Sequence, residues 1–320
     1  MRPIGGYFEL ELQMNDEHIH STCSHLNSGR HALEYIILNR DKKPNLIWLP
    51  YYTCDVVLQP LKRQNIDYKF YHVNENLEIP DFPQLNEEEL IIVNNYFGIK
   101  DDYINYLVSI YRNKIIIDCA QAFYMPEELG VMMFYSPRKF FGIPDGGMAL
   151  VPIDKGLKLD TDQSFDRCGN LLMRLDGEVG LGYDEFKKNS ARISNSPLKR
   201  MSRLTSRMLR GIDYDFVRIK RLDNYRILRD ALEKENLLST PLIKNISCPM
   251  VYPYRTKDTG LRQRLIENQI YVATYWPNVK KWCSCVDVEY KLTDEIIPLP
   301  IDQRYNKDDM LRIISIIKQI

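Results

Sequence analysis

Three short segments of the sequence have residue types suited to binding and using a charged small molecule. In the first, residues 27–33, Ser28 and Gly29 stand where a helical pattern begins. A small-residue turn at a helix start presents free backbone N–H groups and the positive end of the helix dipole. Such a turn suits a phosphate group, although most turns of this kind only cap their helix.

The second segment is Asp118-Cys119-Ala120-Gln121, which directly follows the apolar run Ile115–Ile117. An acidic side chain at the end of a buried strand needs a partner, because burying a lone charge is costly. A backbone N–H group or an arginine would suffice. The protonated nitrogen of a bound heterocycle would serve equally well.

The third segment, residues 136–147, contains Lys139 between the apolar run 132–135 and Phe140-Phe141. Turn-forming residues follow, including Gly142 and Gly146. A single lysine is usually a solvated surface charge. Removal from water favours the neutral amine, which is a nucleophile. We therefore take Lys139 as a candidate catalytic residue.

The elements that must position these segments are short apolar strands alternating with helices. This pattern predicts a mostly parallel sheet covered on both faces, in which ligands bind beyond the carboxyl ends of the strands. We predict strands at 46–49, 67–73, 90–93 and 115–117, and helices at 29–39, 55–62 and 102–112. The polar residues to watch are therefore 51–54, 94–98 and 118–121.

The second half of the chain predicts a change of architecture. Residues 212–240 contain neither Gly nor Pro and predict a long linking helix. Strands at 249–254 and 270–273, a helix at 259–268 between them, and a closing helix at 307–320 predict a small α+β domain. We expect a large domain over 1–212, with an irregular insertion at 155–197, and the linking helix and small C-terminal domain over 213–320.

Charge and composition exclude several classes of protein. The 320 residues include 43 basic and 43 acidic side chains, so there is no general electrostatic attraction to nucleic acid or membranes. No apolar run approaches the roughly 20 residues that span a bilayer, and the N-terminus lacks the apolar core of a signal peptide. We expect a cytoplasmic protein whose seven scattered cysteines are reduced.

Taken together and in order, these segments resemble the DegT/DnrJ/StrS family of sugar aminotransferases, which depend on pyridoxal 5'-phosphate. Residues 28–33 resemble the family's S/N-G-T-x-A-L turn, and residues 118–122 its D-x-A-Q-A signature. Lys139, Gly142 and 145–147 resemble its lysine loop, shortened by one residue. Weaker likenesses occur at 49–54, 95–98, 270–277 and 299–301.

The resemblance implies the type I aminotransferase fold, a mostly parallel mixed sheet with flanking helices and a small C-terminal α+β domain. It implies that Lys139 forms a Schiff base with the cofactor and that Asp118 keeps the pyridine nitrogen protonated. The implied cofactor-binding residues are Ser28, Gly29, Arg30, Tyr52, Cys54, Asn95, Asp118, Gln121, Ser136 and Lys139. Of these, Gly29, Arg30 and Ser136 would bind the phosphate, and Gln121 the ring oxygen.

The implied reaction transfers an amino group from a glutamate-like donor to a keto-sugar, typically linked to a nucleotide. The implied assembly is a homodimer whose active site lies at the interface. Arg200-Met201-Ser202 matches part of the motif that reaches across it, so Arg200 is a candidate substrate residue. Even so, Arg200 and the other arginines between residues 192 and 229 are equally expected to pair with acidic side chains on adjoining helical turns.

Some positions depart from the family pattern. Cys54 stands where an aromatic residue stacks on the cofactor ring, so Tyr52 is an alternative for that contact. Phe134 replaces the usual serine, and Leu198 the cross-dimer asparagine. Two alternatives stay open: another pyridoxal-phosphate reaction, such as dehydration or elimination, and a regulatory or scaffold protein without turnover.

A second cluster of metal-ligand residue types lies near the N-terminus. His18, His20, Cys23 and His25 fall within eight residues. They lack the paired spacings of a structural zinc site. We therefore interpret them as ordinary surface residues or residues at the rim of the active site, and predict no metal.

Overall fold

The fold is built around one seven-stranded sheet. The computed structural model describes residue 4 and residues 6–15, 19–177 and 180–319. The strands of the sheet are β1 (Ser24–Leu26), β2 (Leu46–Pro50), β3 (Asp67–Tyr71), β4 (Glu89–Asn94), β5 (Ile115–Cys119), β6 (Met132–Tyr135) and β7 (Gly147–Leu150). Their order is β1-β7-β6-β5-β4-β2-β3. Strand β7 is antiparallel to both neighbours, and the other pairs are parallel.

The sheet is covered on both faces, which explains why its central strands are continuous apolar runs. Ile91 and Ile117 pack into the core on one face, whereas Ile92 and Ile116 pack into the core on the other. Successive side chains of a strand point to opposite faces, so every residue of these runs is buried. The predicted mostly parallel sheet is confirmed.

Helices connect the strands and complete the C-terminal part. They are α1 (Gly29–Leu38), α2 (Leu58–Arg63), α3 (Asp101–Tyr111), α4 (Gly169–Asp176), α5 (Tyr183–Asn195), α6 (Arg203–Arg210), α7 (Tyr214–Leu232), α8 (Leu261–Glu267), α9 (Val279–Trp282), α10 (Val288–Glu295) and α11 (Lys307–Lys318). The predicted helices in the first 112 residues are each found within a few residues of their expected bounds.

The segment 155–197 is more ordered than the sequence predicted, because it contains α4 and α5. Helix α5 has Asp184 and Glu185 in its first turn, where acidic side chains complement the helix dipole. These carboxylates also pair with Lys187 and Lys188 one turn later, at 2.9 and 2.7 Å. The prediction of an irregular insertion is wrong for the residues of these two helices, and side-chain ion pairs one turn apart support α5.

The C-terminal part contains a two-stranded antiparallel sheet of β8 (Tyr252–Arg255) and β9 (Ile296–Leu299). The predicted strand at 270–273 is wrong. The Arg262 guanidinium donates to the carbonyls of Ala273 and Ile296, at 2.5 and 3.1 Å, so a side chain rather than a strand partner fixes this segment.

Helix α7 links the two halves of the chain, as the Gly- and Pro-free stretch predicted. Within it, the Asn224 amide donates to the carbonyls of Ile301 and Tyr305, both at 3.1 Å. The domain boundary between residues 212 and 213 falls just before α7 and stays a prediction. No helix in the described part of the chain is long and apolar enough to cross a bilayer.

Candidate active site

A cavity of about 450 Å³ opens at the carboxyl ends of β4, β5 and β6. This volume lies in the range of small-molecule and cofactor sites. The structure brings nine of the predicted site residues to its wall: Ser28, Gly29, Arg30, Cys54, Asn95, Asp118, Gln121, Ser136 and Lys139. Tyr52 and Arg200 are not among the lining residues.

The start of α1 forms one side of this cavity. Ser28 has extended backbone angles and is the N-cap, and its hydroxyl oxygen accepts from the His31 N–H at 3.3 Å. His31 Nε2 lies 3.0 Å from the Ser196 carbonyl, which only accepts, so this nitrogen bears the proton. Burial lowers the pKa of His31 to about 4, so the ring is neutral and adds no charge here.

Close backbone packing fixes this helix start against the loop that follows β6. A Cβ atom on Gly147 would lie 2.1 Å from the Ser28 carbonyl oxygen, so only glycine fits there. A Cβ atom on Gly29 would lie 3.2 Å from the Ser136 Cβ. The first turn of α1 and Ser136 therefore meet on one wall of the cavity.

Two guanidinium groups add positive charge to the same wall. Arg30 Nη1 donates to the Gln59 side chain at 2.7 Å, and burial lowers the pKa of Arg30. Burial lowers the pKa of Arg138 to about 10, and the negative charge of Asp145 opposes this effect. The sequence analysis did not single out Arg138. With the helix N-terminus, these groups make this wall suited to a doubly charged anion.

The Asp118 carboxylate lies at the end of β5 and accepts a hydrogen bond from the Ala120 N–H at 2.8 Å. Burial raises the pKa of Asp118 from its ordinary 3.8 to about 6. The Ala120 hydrogen bond and the positive charge of Lys139 oppose that rise. The carboxylate is thus poised to gain from any cation that enters the cavity.

Amide side chains flank this carboxylate. Asn94 pairs with Asp118 across β4 and β5, and its Nδ2 donates to Thr53 Oγ1 at 3.0 Å. Gln121 Oε1 accepts from the Phe97 N–H at 3.0 Å. Asn94 Oδ1 and Gln121 Nε2 are buried and have no hydrogen-bond partner among the described residues. A bound polar ligand would satisfy both atoms.

The predicted residue Asn95 is engaged within the protein. Its Nδ2 donates to Asp101 at 2.6 Å, and its Oδ1 accepts from the Lys100 N–H at 3.0 Å. These bonds leave Asn95 as a support for the turn after β4, although it borders the cavity. The sequence analysis placed both residues in the polar segment 94–98 but named only Asn95 as a cofactor-binding residue, whereas Asn94 has the unpartnered oxygen.

Lys139 ends the 3-10 helix Pro137–Lys139 after β6. Its Nζ lies 5.6 Å from the centre of the Tyr275 ring, within range of a cation–π interaction. The side chain is exposed rather than desolvated, so the expectation of a lysine shielded from water is wrong for this structure. It remains accessible to a ligand in the cavity.

The C-terminal half of the chain contributes Tyr275 and Trp276 to the wall of the cavity. The sequence analysis did not assign these residues to the site. Tyr52 is fully buried and packs edge-on against Trp276 at 5.0 Å between ring centres. Cys54, by contrast, is half-buried on the cavity wall. Of the two candidates for a ring contact, Cys54 is therefore the one that borders the cavity.

The segment 200–202 lies away from the cavity and binds its own chain. The Arg200 guanidinium donates to the Leu157 carbonyl at 3.4 Å. The N–H and hydroxyl of Ser202 donate to the buried Asp145 carboxylate at 3.0 and 2.9 Å. Asp145 belongs to the lysine loop, so this contact ties the loop to the start of α6.

Solved structures that share the fold of this chain include sugar aminotransferases. The sugar aminotransferase CalS13 from Micromonospora echinospora aligns with a TM-score of 0.63 at 14% identity, over 93% of this chain and 87% of that chain. A DegT DnrJ EryC1 StrS aminotransferase from Brucella abortus gives 0.64 at 17%, over 93% and 85%. The NtdA protein from Bacillus subtilis, solved with the bound cofactor PMP, gives 0.62 at 13%, over 93% and 72%.

These similarities confirm the predicted fold class, that of the type I aminotransferases. No protein-family model matches the sequence. A search of curated proteins likewise finds no match.

We predict that Asp118→Asn stabilises the ligand-free protein above pH 6. The native carboxyl binds its proton more tightly than the unfolded one, so it destabilises the fold increasingly as the pH rises from about 4 to about 6. The rise in the Asp118 pKa from 3.8 to about 6 corresponds to a loss of about 3 kcal/mol in the free energy of unfolding at pH values above 6. Urea unfolding from pH 4 to 8 measures this, with the exposed Asp81→Asn as control. Equal stabilities of wild type and Asp118→Asn at pH 8 would contradict it.

Proposed function

We propose that this protein is a pyridoxal-phosphate-dependent aminotransferase of the DegT/DnrJ/StrS type. It transfers an amino group from a glutamate-like amino acid to a keto-sugar, in nucleotide-linked form. The observation that supports this most strongly is the pairing in one cavity of a buried carboxylate, Asp118, with an accessible amine, Lys139. The fold and the ordered sequence segments support the same reaction.

The residues of the cavity fit this cofactor, which has a phosphate at one end and a basic ring nitrogen. The start of α1, Ser136 and the guanidinium groups of Arg30 and Arg138 suit the phosphate. The Asp118 carboxylate suits a protonated ring nitrogen. The unpartnered Gln121 Nε2 is a donor for the ring oxygen.

When bound, the cofactor would supply an aldehyde group that condenses with an amine and a pyridine ring that accepts electrons. The role of Lys139 Nζ is to bind the cofactor at rest and to move a proton at the substrate carbon during turnover. Its exposure within the cavity leaves it free to exchange with an incoming amine.

Asp118 contributes by keeping a positive charge on the ring nitrogen. Its buried carboxylate gains a charge partner, which offsets the desolvation that raises its pKa. Tyr275 and Trp276 border the cavity from the C-terminal half, and the Tyr275 ring faces the Lys139 amine, where it helps to orient that amine. The wall of α5, through Phe186 and Ser190, offers a mixed apolar and polar surface for the acceptor.

We propose a homodimer, as the resemblance implies. Apolar side chains without a covering layer support it: Leu172 and Leu175 of α4 are 59% and 82% exposed, and Leu181 and Tyr183 are exposed nearby. Such a patch marks an interaction site in a soluble protein. Phe186, on the same α5 segment, borders the cavity, so a second copy here would also shape the active site.

Replacing Lys139 tests the proposed function. Lys139→Ala should lose the yellow absorbance of the enzyme and the covalent trapping of cofactor by borohydride, because no other lysine of the described residues lines the cavity. Lys291→Ala, at an exposed lysine outside the cavity, should keep both. Covalent trapping that persists in Lys139→Ala, located by peptide mass spectrometry, would refute the assignment.

Arg138→Met should weaken binding of the phosphate. Losing one charge-assisted hydrogen bond costs about 1.5–3 kcal/mol, a roughly 10- to 100-fold rise in the Kd for pyridoxal phosphate. The Kd for pyridoxal, which lacks the phosphate, should not change. The matched control is the exposed Arg203→Met. An equal loss of affinity for both ligands would show that Arg138 acts on the fold instead.

Leu175→Glu should dissociate the proposed dimer. A carboxylate at the centre of a buried apolar interface is costly to desolvate. Sedimentation velocity at micromolar concentration should show a dimer for the wild type and a monomer for the variant. The exposed residue Leu129, on the loop before β6, gives the control Leu129→Glu, which should stay dimeric. A wild-type monomer with full activity would end the dimer proposal.

A further inference from the structure

Outside this cavity, three metal-binding side chains converge where the chain enters β1. They are His20, Cys23 and Glu127, whose ligand atoms all lie within 4.8 Å of one another. His20 Nδ1 is 3.4 Å and Cys23 Sγ is 3.5 Å from the same oxygen, Glu127 Oε1. The sequence analysis interpreted His18, His20, Cys23 and His25 as surface or rim residues. This is wrong for His20 and Cys23, because both are buried, whereas His25 is half-buried and His18 lies outside the described residues.

The hydrogen bond of one His20 ring nitrogen shows which of the two nitrogens is available as a metal ligand. Nε2 lies 2.5 Å from the Phe123 carbonyl, which only accepts, so Nε2 bears a proton. The lone pair of neutral His20 is then on Nδ1 and points at a carboxylate oxygen. Two acceptors in contact need a cation between them, either a proton or a metal ion.

A metal ion satisfies more of the cluster than a proton does. A proton on Nδ1 joins His20 to Glu127 and leaves the buried Cys23 as a thiol donor beside them. A metal ion binds Nδ1, Sγ and Oε1 at once. A ligating histidine typically donates its other ring N–H to a backbone carbonyl, as His20 does to Phe123.

Two of the three separations fit tetrahedral coordination, and the third, between the His20 ring nitrogen and Cys23 Sγ, is within 4.8 Å. With zinc–nitrogen, zinc–oxygen and zinc–sulfur distances near 2.0–2.3 Å, tetrahedral angles place neighbouring ligand atoms about 3.3–3.6 Å apart. The nitrogen–oxygen and sulfur–oxygen separations here are 3.4 and 3.5 Å. One nitrogen, one thiolate sulfur and one carboxylate oxygen form a donor set typical of Zn²⁺ rather than of Mg²⁺ or Ca²⁺.

We propose that His20, Cys23 and Glu127 bind a zinc ion, with water as the fourth ligand. Glu127 is 16% exposed, so solvent reaches this side of the cluster. Binding releases the Cys23 proton to solvent, because the thiolate is the ligand form. None of the three residues borders the cavity of the proposed cofactor, so the two sites are separate.

The zinc ion would join two parts of the chain that are over 100 residues apart in sequence. His20 and Cys23 belong to the turn before β1, whose Cys23 N–H donates to the His20 carbonyl at 3.2 Å. Glu127 lies on the loop that leads to β6, and Thr22 also contacts its carboxylate. The predicted role is therefore structural, since it ties the entry of β1 to the loop before β6.

Metal analysis of untagged protein tests this proposal. Protein purified without chelator should contain close to one zinc ion per chain, as measured by inductively coupled plasma mass spectrometry. Cobalt substitution should give visible ligand-field bands of a tetrahedral site, in a region where a yellow cofactor does not absorb. Zinc should raise the melting temperature of chelator-treated protein, because the ion binds only the folded chain.

The variants Cys23→Ser and Glu127→Gln should lose the bound zinc, the cobalt bands and the thermal shift. The matched controls are Cys285→Ser and Glu128→Gln, which change an exposed cysteine and an exposed glutamate outside the cluster. They should keep the zinc, the cobalt bands and the thermal shift. Zinc that persists in Cys23→Ser and Glu127→Gln lies elsewhere, which overturns the site. Wild-type protein with no zinc, no cobalt bands and no thermal shift overturns it in favour of a proton shared by His20 and Glu127. Neither result bears on cofactor binding at Lys139.

Discussion

The buried carboxylate of Asp118 at the end of β5 is the group on which the site depends. Burying it raises its pKa to about 6, and one hydrogen bond from the Ala120 N–H together with the field of Lys139 compensates only in part. A chain gains nothing in stability from such a group, because the ionised form destabilises the fold at neutral pH. A cationic ligand removes that cost. The carboxylate is therefore best understood as one half of a charge pair whose other half is a cationic ligand.

The remaining features follow from holding such a ligand in a fixed orientation. Parallel strands bring Asn94 and Asp118 side by side at one edge of the sheet, and the antiparallel strand β7 turns the chain back so that Gly147 can press against the start of α1. That contact sets the helix N-terminus beside Ser136 and the arginines. One cavity is thus lined by both a buried carboxylate and a group of cationic and N–H donors, as a ligand with a cationic ring and an anionic tail requires.

The sequence predicted the parts of the fold that local patterns determine. Apolar runs such as Ile115–Ile117 give strands, and the polar residues after them, including Asp118 and Gln121, do meet in the cavity. Contacts between segments that are far apart in the sequence could not be predicted. Tyr275 and Trp276 enter from the C-terminal half, and Glu127 joins His20 across more than 100 residues. Neither pairing leaves a trace in residue spacing, and Tyr52 and Arg200 were placed by motif likeness alone.

The central claim is that Lys139 and Asp118 serve the transfer of an amino group, and a single-turnover measurement tests it most directly. Purified protein loaded with pyridoxal phosphate is mixed with excess glutamate labelled at nitrogen, without any acceptor. The account predicts loss of the yellow absorbance and release of one equivalent of 2-oxoglutarate per chain, with the label retained on the protein-bound cofactor. Release of labelled ammonia instead would indicate elimination, and no keto acid from any amino acid donor would contradict transamination.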